Sequence, residues 1–197
     1  MDIKKHKQTL LEELYAPYKK CQMCPLGSLG RKNIVFGEGN PNTKLMFIGE
    51  GPGQKEDELC RPFVGRSGQL LTKILEAVGL SRKDVFITNV VKCRPPKNRK
   101  PLPNESETCT NLLLFKQIEI ILPTTICTLG SAATQVFLGK EVKITKIRGK
   151  QFKQENNILI PTYHPAYILR NQRELENFAN DIKLAKKISQ HRNCAGG

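Results

Sequence analysis

The stretch Leu45-Met-Phe-Ile-Gly-Glu-Gly-Pro-Gly53 decides the fold, because an apolar run of strand character, Leu45 to Ile48, breaks directly into a glycine-rich loop. Beyond the loop, Ser67 caps a helical pattern with Leu70, Leu71, Ile74, Leu75 and Val78 on one face, and Gly79 stands where such a helix stops. A second run rich in β-branched residues follows, from Val85 to Thr88. Strand, loop, helix and strand in this order predict a parallel pairing.

The alternation continues downstream. Thr125 to Leu129 and Ile158 to Thr162 read as two more buried strands. Pro103 opens a helix carrying Leu112, Phe115, Ile118 and Ile121 until Pro123 stops it. Another helix runs from Ser131 to Gly139, and a C-terminal one aligns Leu175, Phe178, Ile182 and Ala185. The expectation is an α/β fold: a central four-stranded, mainly parallel sheet with helices on both faces. Ligands of such folds bind beyond the carboxyl ends of the strands, near a switch in strand order.

Three strand ends deliver unusual residues to that rim: Gly49 to Gly53 after the first, Asn89 after the second and His164-Pro165 after the fourth. Each has an ordinary reading alone, since glycines turn the chain, Asn caps turns and a lone His satisfies a strand end. Together they aim a loop, an amide and an imidazole at one place. Glu50, Glu56, Asp57 and Glu58 form an acidic loop beside them, solvated or holding a water, and Phe63 is either core filler or a ring able to stack on a flat base. A dinucleotide fingerprint is excluded by Pro52 and the wrong final glycine spacing, and no phosphate loop of the GxxxxGK[ST] type occurs.

Charge bounds the partner. Among 197 residues, 32 Lys+Arg stand against 18 Asp+Glu, a formal charge of +14 that favours a polyanion, nucleic acid first. The densest basic segment, Lys92 to Lys100, holds Lys92, Arg94, Lys97, Arg99 and Lys100 with no acid, stiffened by Pro95, Pro96 and Pro101. Met1 to Lys20 lacks the apolar core of a signal peptide, and no stretch approaches a membrane span, so a cytoplasmic, nucleoid-associated protein without membrane contact is expected. Residues 1–197 read as one domain, N- and C-terminal helices included, with 193–197 a frayed tail. Lys183, Lys186, Lys187 and Arg192 near the C-terminus read as a solvated helix face.

Seven cysteines, an odd number, do not suggest a disulfide framework. Cys21-Gln-Met-Cys24 has the two-residue spacing that turns both thiolates toward one metal, and Cys93 with Cys109 is its expected completion, giving four thiolates suited to zinc or a 4Fe-4S cluster. The thioredoxin-like alternative fits less well, because that motif follows a strand whereas Cys21 precedes the first one. Cys127 reads as a core residue, Cys194 as a tail thiol, and Cys60 is open.

The combination Gly49-Glu-Gly-Pro-Gly53, Glu56-Asp57, Arg61-Pro-Phe-Val-Gly-Arg-Ser-Gly-Gln-Leu-Leu71, Asn89 and His164-Pro-Ala-Tyr167 resembles the family 4 uracil-DNA glycosylases, from about Cys21 to Arg170. The resemblance implies a three-layer α/β/α fold and hydrolysis of the bond joining uracil to deoxyribose in single- or double-stranded DNA, leaving an abasic site for base excision repair. It implies that Cys21, Cys24, Cys93 and Cys109 ligate a structural 4Fe-4S cluster, and that Glu50, Gly51, Pro52, Gly53, Phe63, Asn89 and His164 form the uracil pocket. Lys92, Arg94, Lys97, Arg99 and Arg170 are then expected on the DNA backbone, in a monomer that works beside repair or replication proteins.

Within that implication each role has a physical reason. Phe63 stacks on the extruded base. The Asn89 amide donates to uracil O4 and accepts from N3–H, a pairing that cytosine reverses. His164 donates to O2 as negative charge develops there. Family 1 enzymes carry an aspartate where Gly51 stands, so the carboxylate that orients water is expected at Glu50 first and Asp57 second, giving Glu50, His164 and Asp57 as the catalytic set. Cys60 stands where the family has glycine. A covalently trapping relative has an inserted basic loop, absent at Arg66-Ser67-Gly68-Gln69, which implies turnover. Two other functions compete: a non-catalytic metal-stabilised nucleic-acid module, which leaves Asn89 and His164 unexplained, and a glycosylase for mismatched thymine. Deamination lacks its H-x-E and P-C-x-x-C pattern.

Overall fold

The computed structural model describes residues 2–191. Cys194, Arg192 and the expected frayed tail at 193–197 lie outside the described residues. In chain order the elements are α1 (Ile3–Tyr15), β1 (Glu38–Gly39), β2 (Leu45–Gly49), α2 (Gln54–Leu59), α3 (Arg66–Ala77), β3 (Phe86–Asn89), α4 (Pro103–Cys109) and α5 (Phe115–Ile121). They continue with β4 (Thr125–Leu129), α6 (Ser131–Leu138), α7 (Ile144–Ile147), β5 (Phe152–Lys153), β6 (Ile158–Thr162), α8 (Pro165–Arg170) and α9 (Leu175–His191).

The sheet runs β1-β3-β2-β4-β6-β5. Its four central strands are the four expected and all pair in parallel, while β1 and β5 are two-residue antiparallel strands at the edges. The sheet is therefore six-stranded, a correction to the expected four: two residues are too few to carry an alternating pattern. β1 and β5 also cover the edges of the parallel core, leaving no long unpaired strand.

Alternation along the strands divides the core in two. Leu45, Phe47, Val85, Ile87, Cys127 and Ile160 meet Leu71, Leu75, Phe178, Ile182 and Ala185 of α3 and α9 on one face. Met46, Ile48, Phe86, Ile126 and Leu159 meet Leu11, Leu114, Ile121 and Ala133 on the other, under α1, α5 and α6. Strands buried on both faces between two helical layers make the three-layer α/β/α arrangement. Phe47 has no exposed surface, and truncating such a ring to Ala costs about 3–5 kcal/mol.

Helix boundaries carry two corrections. Ser67 lies inside α3, whose N-cap is Gly65. The backbone N–H groups of Val64 and Gly65 are instead taken by the Glu56 carboxylate at 2.9 and 2.7 Å. The Pro103 helix does begin at Pro103, yet residues Thr110–Leu114 form a π-helical segment directly after Cys109 before α5 resumes. Such a widened turn often accompanies a functional position and leaves no mark in apolar periodicity.

Successive strands leave β2 first toward β3 and then, on its other flank, toward β4. That reversal is the topological switch point, where the crevice of an open α/β sheet forms.

Candidate functional site

A cleft of about 610 Å³ opens at this crevice, lined by the chain leaving all four parallel strands. Glu50 to Gly53 follow β2, Asn89 ends β3, Gly130 and Ser131 follow β4, and His164 follows β6. Phe63, Glu56 and Ser67 close one side, Asn98, Arg99 and Lys100 another, and Tyr167 and Arg170 a third. The three strand ends singled out in the sequence thus converge.

Asn89 pairs with Gly49 in the parallel register of β2 and β3 and is 1% exposed. Its Oδ1 is buried without a hydrogen-bond partner. An acceptor left unsatisfied at the floor of a cleft costs stability unless a ligand donor meets it. A β-carbon on Gly49 would lie 2.4 Å from Phe63 Cζ and 2.5 Å from Asn89 Oδ1, so glycine is required there for the ring and the amide to meet. Phe63 is 5% exposed with φ 52°, and its ring centroid lies 5.8 Å from that of His164 at 36°. The ring is both buried and at the cleft, so the two readings of Phe63 merge.

His164 is the N-cap of α8. Its Nδ1 accepts a hydrogen bond from Ala166 N at 3.1 Å, which leaves the ring proton on Nε2 as a donor. Burial, with Arg170 adding to it, pushes the imidazole down to about 4, so the ring is neutral near pH 7. Pro165 at the first helical position fixes the backbone that makes this cap.

Of the carboxylates, Glu50 lines the cleft, and burial raises it above the ordinary range against a lowering effect of Lys100. Asp57 does not reach the cleft: it is 1% exposed and its carboxylate accepts from Lys32 N and Asn33 N at 2.9–3.0 Å. The expectation that Asp57 orients water is corrected, because α2 turns it toward the segment after the first cysteines. Glu56 faces the cleft instead but spends its Oε1 on the two N–H groups ahead of α3.

The expectation for Lys92 is overturned as well. It is fully buried, donating from Nζ to Thr88 Oγ1 at 2.6 Å, Asn89 O at 2.7 Å and Gln117 Oε1 at 2.6 Å, and burial lowers it to about 7. Lys92 therefore cannot contact a DNA backbone. Its spacing of four from Thr88 and its place after Val90 and Val91 were the available signals. Lys97 and Lys100 are exposed, Arg170 is exposed at the cleft, and Arg99 is bound to Glu105 at 2.7 Å. Arg94 donates to Asn98 Oδ1 at 2.7 Å, bracing a cleft residue that sequence reading passed over.

Cys21, Cys24, Cys93 and Cys109 line one small cavity with Met23, Gly27, Ile34, Leu112 and Leu113. The expected completion of the CxxC pair is thus brought together. Among the described residues no three ligating side chains close on a point that would hold one metal ion. Four thiols set around a mostly apolar cavity suit a multi-iron cluster, and Lys92 N donates to Cys109 Sγ at 3.3 Å, a contact typical of cluster sulfurs. Burial pushes Cys93 up to about 12 and Cys109 up to about 11, so a cationic group is what would hold them as thiolates. Cys127 is buried in β4 as expected. Cys60 has φ 54°, the left-handed conformation that glycine adopts without strain.

Comparison with known proteins agrees with this geometry. The family model described as the uracil DNA glycosylase superfamily matches residues 36–187. A type-4 uracil-DNA glycosylase of Thermotoga maritima is 50% identical over 186 residues, covering 92% of this chain and 96% of its own length. Proteins of the same name from Sulfurisphaera tokodaii and Archaeoglobus fulgidus are 43% and 38% identical, covering 91% and 88% of this chain and 84% and 90% of their own lengths. With strand order, cleft and match in agreement, the chain belongs to the uracil DNA glycosylase superfamily.

Proposed function

We propose that this chain is a monofunctional uracil-DNA glycosylase: it extrudes deoxyuridine, hydrolyses the N-glycosidic bond, and releases free uracil with an abasic site left behind. The observation that carries the reading is the buried, unpartnered Oδ1 of Asn89 at the floor of the cleft, beside Phe63 and His164.

Extrusion costs a few kcal/mol of unstacking, recovered in the cleft. The Phe63 ring stacks on the flipped base, a contribution of about 1–3 kcal/mol. Asn89 Oδ1 accepts the N3–H of uracil and its amide donates to O4. Cytosine offers an acceptor at N3 and a donor at N4, which leaves both Asn89 groups mismatched and rejects the common base.

As the bond breaks, electrons flow into the base and charge gathers on O2. The Nε2–H of neutral His164 donates to that oxygen, an interaction stronger in the transition state than in the ground state. Glu50 orients water and stabilises the positive charge developing on the sugar. Its raised carboxyl ionises above the usual carboxylate range. A β-carbon on Gly51 would lie 2.8 Å from Val91 Cγ2, so glycine is what lets the loop after β2 pack against the segment after β3 at the edge of the cleft.

Cys21, Cys24, Cys93 and Cys109 are the residues that would hold a 4Fe-4S cluster, which when bound supplies a cross-link between the N-terminal segment and the basic loop. Lys97, Arg99, Lys100 and Arg170 track the phosphates of single- or double-stranded DNA. The protein acts as a monomer in the cytoplasm, at the nucleoid, and its abasic product passes to repair enzymes that process the strand. No described helix is long and apolar enough to cross a membrane. The test is alkali-sensitive cleavage of an end-labelled strand with one deoxyuridine, which His164→Ala slows. DNA binding without cleavage would leave a binding module in its place.

A further inference from the structure

Phe63 holds a backbone conformation that a bulky side chain adopts only when its surroundings impose it, with φ 52°. Its neighbours supply that imposition from three directions. Arg82, in the connection between α3 and β3, donates from Nη1 to Phe63 O at 3.0 Å and from Nη2 to Pro62 O at 2.6 Å. Glu56 takes the next two N–H groups, those of Val64 and Gly65. Beneath the turn, a β-carbon on Gly68 would lie 1.9 Å from the Phe63 carbonyl carbon, so the first turn of α3 serves as a seat only because it has none.

Arg82 is itself held. Its Nε and Nη2 donate to Glu38 Oε1 at 2.8 and 2.6 Å, and Glu38 also receives Arg61 Nε at 2.6 Å. Glu38 lies in β1, the edge strand paired antiparallel to β3. The guanidinium side chain is 16% exposed and stands outside the cleft lining. Nothing in the chemistry of uracil release uses it.

We propose that Arg82, fixed by Glu38, is a positioning residue of the uracil pocket: it clamps the Pro62 and Phe63 carbonyls so that the Phe63 ring is presented to the extruded base. The proposal rests on the glycosylase reading through the role of Phe63. The planar fork of arginine is what lets one side chain reach two carbonyls and a carboxylate at once. Lysine, with a single nitrogen, reaches fewer. A ring displaced by about 1 Å forfeits on the order of 10²-fold in rate when it orients the reacting group.

The test is a double-mutant cycle read by single-turnover uracil release. Arg82→Gln slows wild-type release by about 10- to 100-fold, and in a Phe63→Ala background the same change alters the rate by no more than about twofold, because the presented ring is already gone. Arg82→Lys recovers part of the rate in the presence of Phe63 and none in its absence. Equal losses in both backgrounds, or no loss in a folded Arg82→Gln protein, overturn the proposal.

Should Arg82→Gln fail to fold, Glu38→Gln provides the same cycle, since it removes the charge that orients the guanidinium. A second readout is independent of turnover. In protein labelled with ¹³C in the phenylalanine rings, Arg82→Gln moves or broadens the Phe63 signals while Phe47 and Phe178, deep in the core, keep theirs. A wild type that releases no uracil yet shows this selective change would sink the glycosylase reading and keep the clamp. Unchanged Phe63 signals would sink the clamp.

Discussion

The Phe63 ring and the Asn89 carboxamide meet over the α-carbon of Gly49, each within 2.5 Å of where a β-carbon would stand. The three residues come from a loop and two neighbouring strands, and the parallel register that places Gly49 opposite Asn89 makes the meeting possible. One methyl group at Gly49 must displace either the Phe63 ring or the Asn89 amide. Gly49→Ala should therefore lower single-turnover uracil release by about 10- to 100-fold, as expected for a misplacement near 1 Å. Unaltered kinetics in Gly49→Ala would show that ring and amide are not held against each other.

Removing the amide itself should cost more. Asn89→Ala should lose the two proposed hydrogen bonds to the base at about 1–3 kcal/mol each, roughly 30- to 3 × 10⁴-fold in rate. The stability of the free protein should hold or rise, because a buried acceptor without a partner disappears. Calorimetry beside single-turnover kinetics separates the two effects.

Two pH effects follow from burial, one on stability and one on rate, and both quantities rise with pH. His164 is lowered from 6.5 to about 4, so between these values the unfolded chain binds a proton that the native chain does not. Stability falls as pH drops from about 6.5 toward 4, and His164→Asn should flatten that slope in melts across the window. Glu50 is raised by burial, and in the proposed mechanism its ionised form orients the water. Release should increase with pH through this raised carboxyl pKa, and Glu50→Gln should be slower with that limb absent. A pH profile identical in Glu50→Gln would remove Glu50 from the mechanism.

Lys92 and Lys100 should behave oppositely. Lys92→Met takes the donor from the Asn89 carbonyl and the Gln117 amide oxygen, while the Thr88 hydroxyl keeps Phe36 O, costing about 1–3 kcal/mol of stability for each acceptor left unpaired with no change in the salt dependence of DNA binding. Lys100→Ala should leave the melt unchanged and reduce the salt slope by about 1. Titration of DNA binding against salt, with thermal melts of both variants, decides the matter.

Cys93→Ala should abolish iron content and weaken DNA binding by loosening the basic loop. Iron analysis and absorbance of the purified protein check the first part. A protein without iron but with full DNA affinity would show that the thiols do not brace the loop.

Much of the fold was legible because the physics is local and repetitive. Leu45, Phe47 and their alternate neighbours Met46 and Ile48 are apolar throughout, which a strand buried on both faces demands. Asn89 and His164 stood out because polar groups ending apolar strands mark the rim of a parallel sheet. What escaped was set by tertiary contacts. Lys92 looks like any basic loop residue until Thr88 and Gln117 enclose it. Asp57 looks like a rim carboxylate until Lys32 and Asn33 turn their N–H groups on it. Arg82, far from any motif, earned no notice, since the carbonyls it holds carry no sequence signature.

The most direct measurement is the amount of free uracil released per enzyme in one turnover from DNA with a single deoxyuridine, beside matched strands carrying cytosine or thymine. The account predicts one uracil per active protein, an alkali-labile strand in equal amount, and no detectable cytosine or thymine. Bound DNA with no free base, or thymine released as readily as uracil, would contradict it.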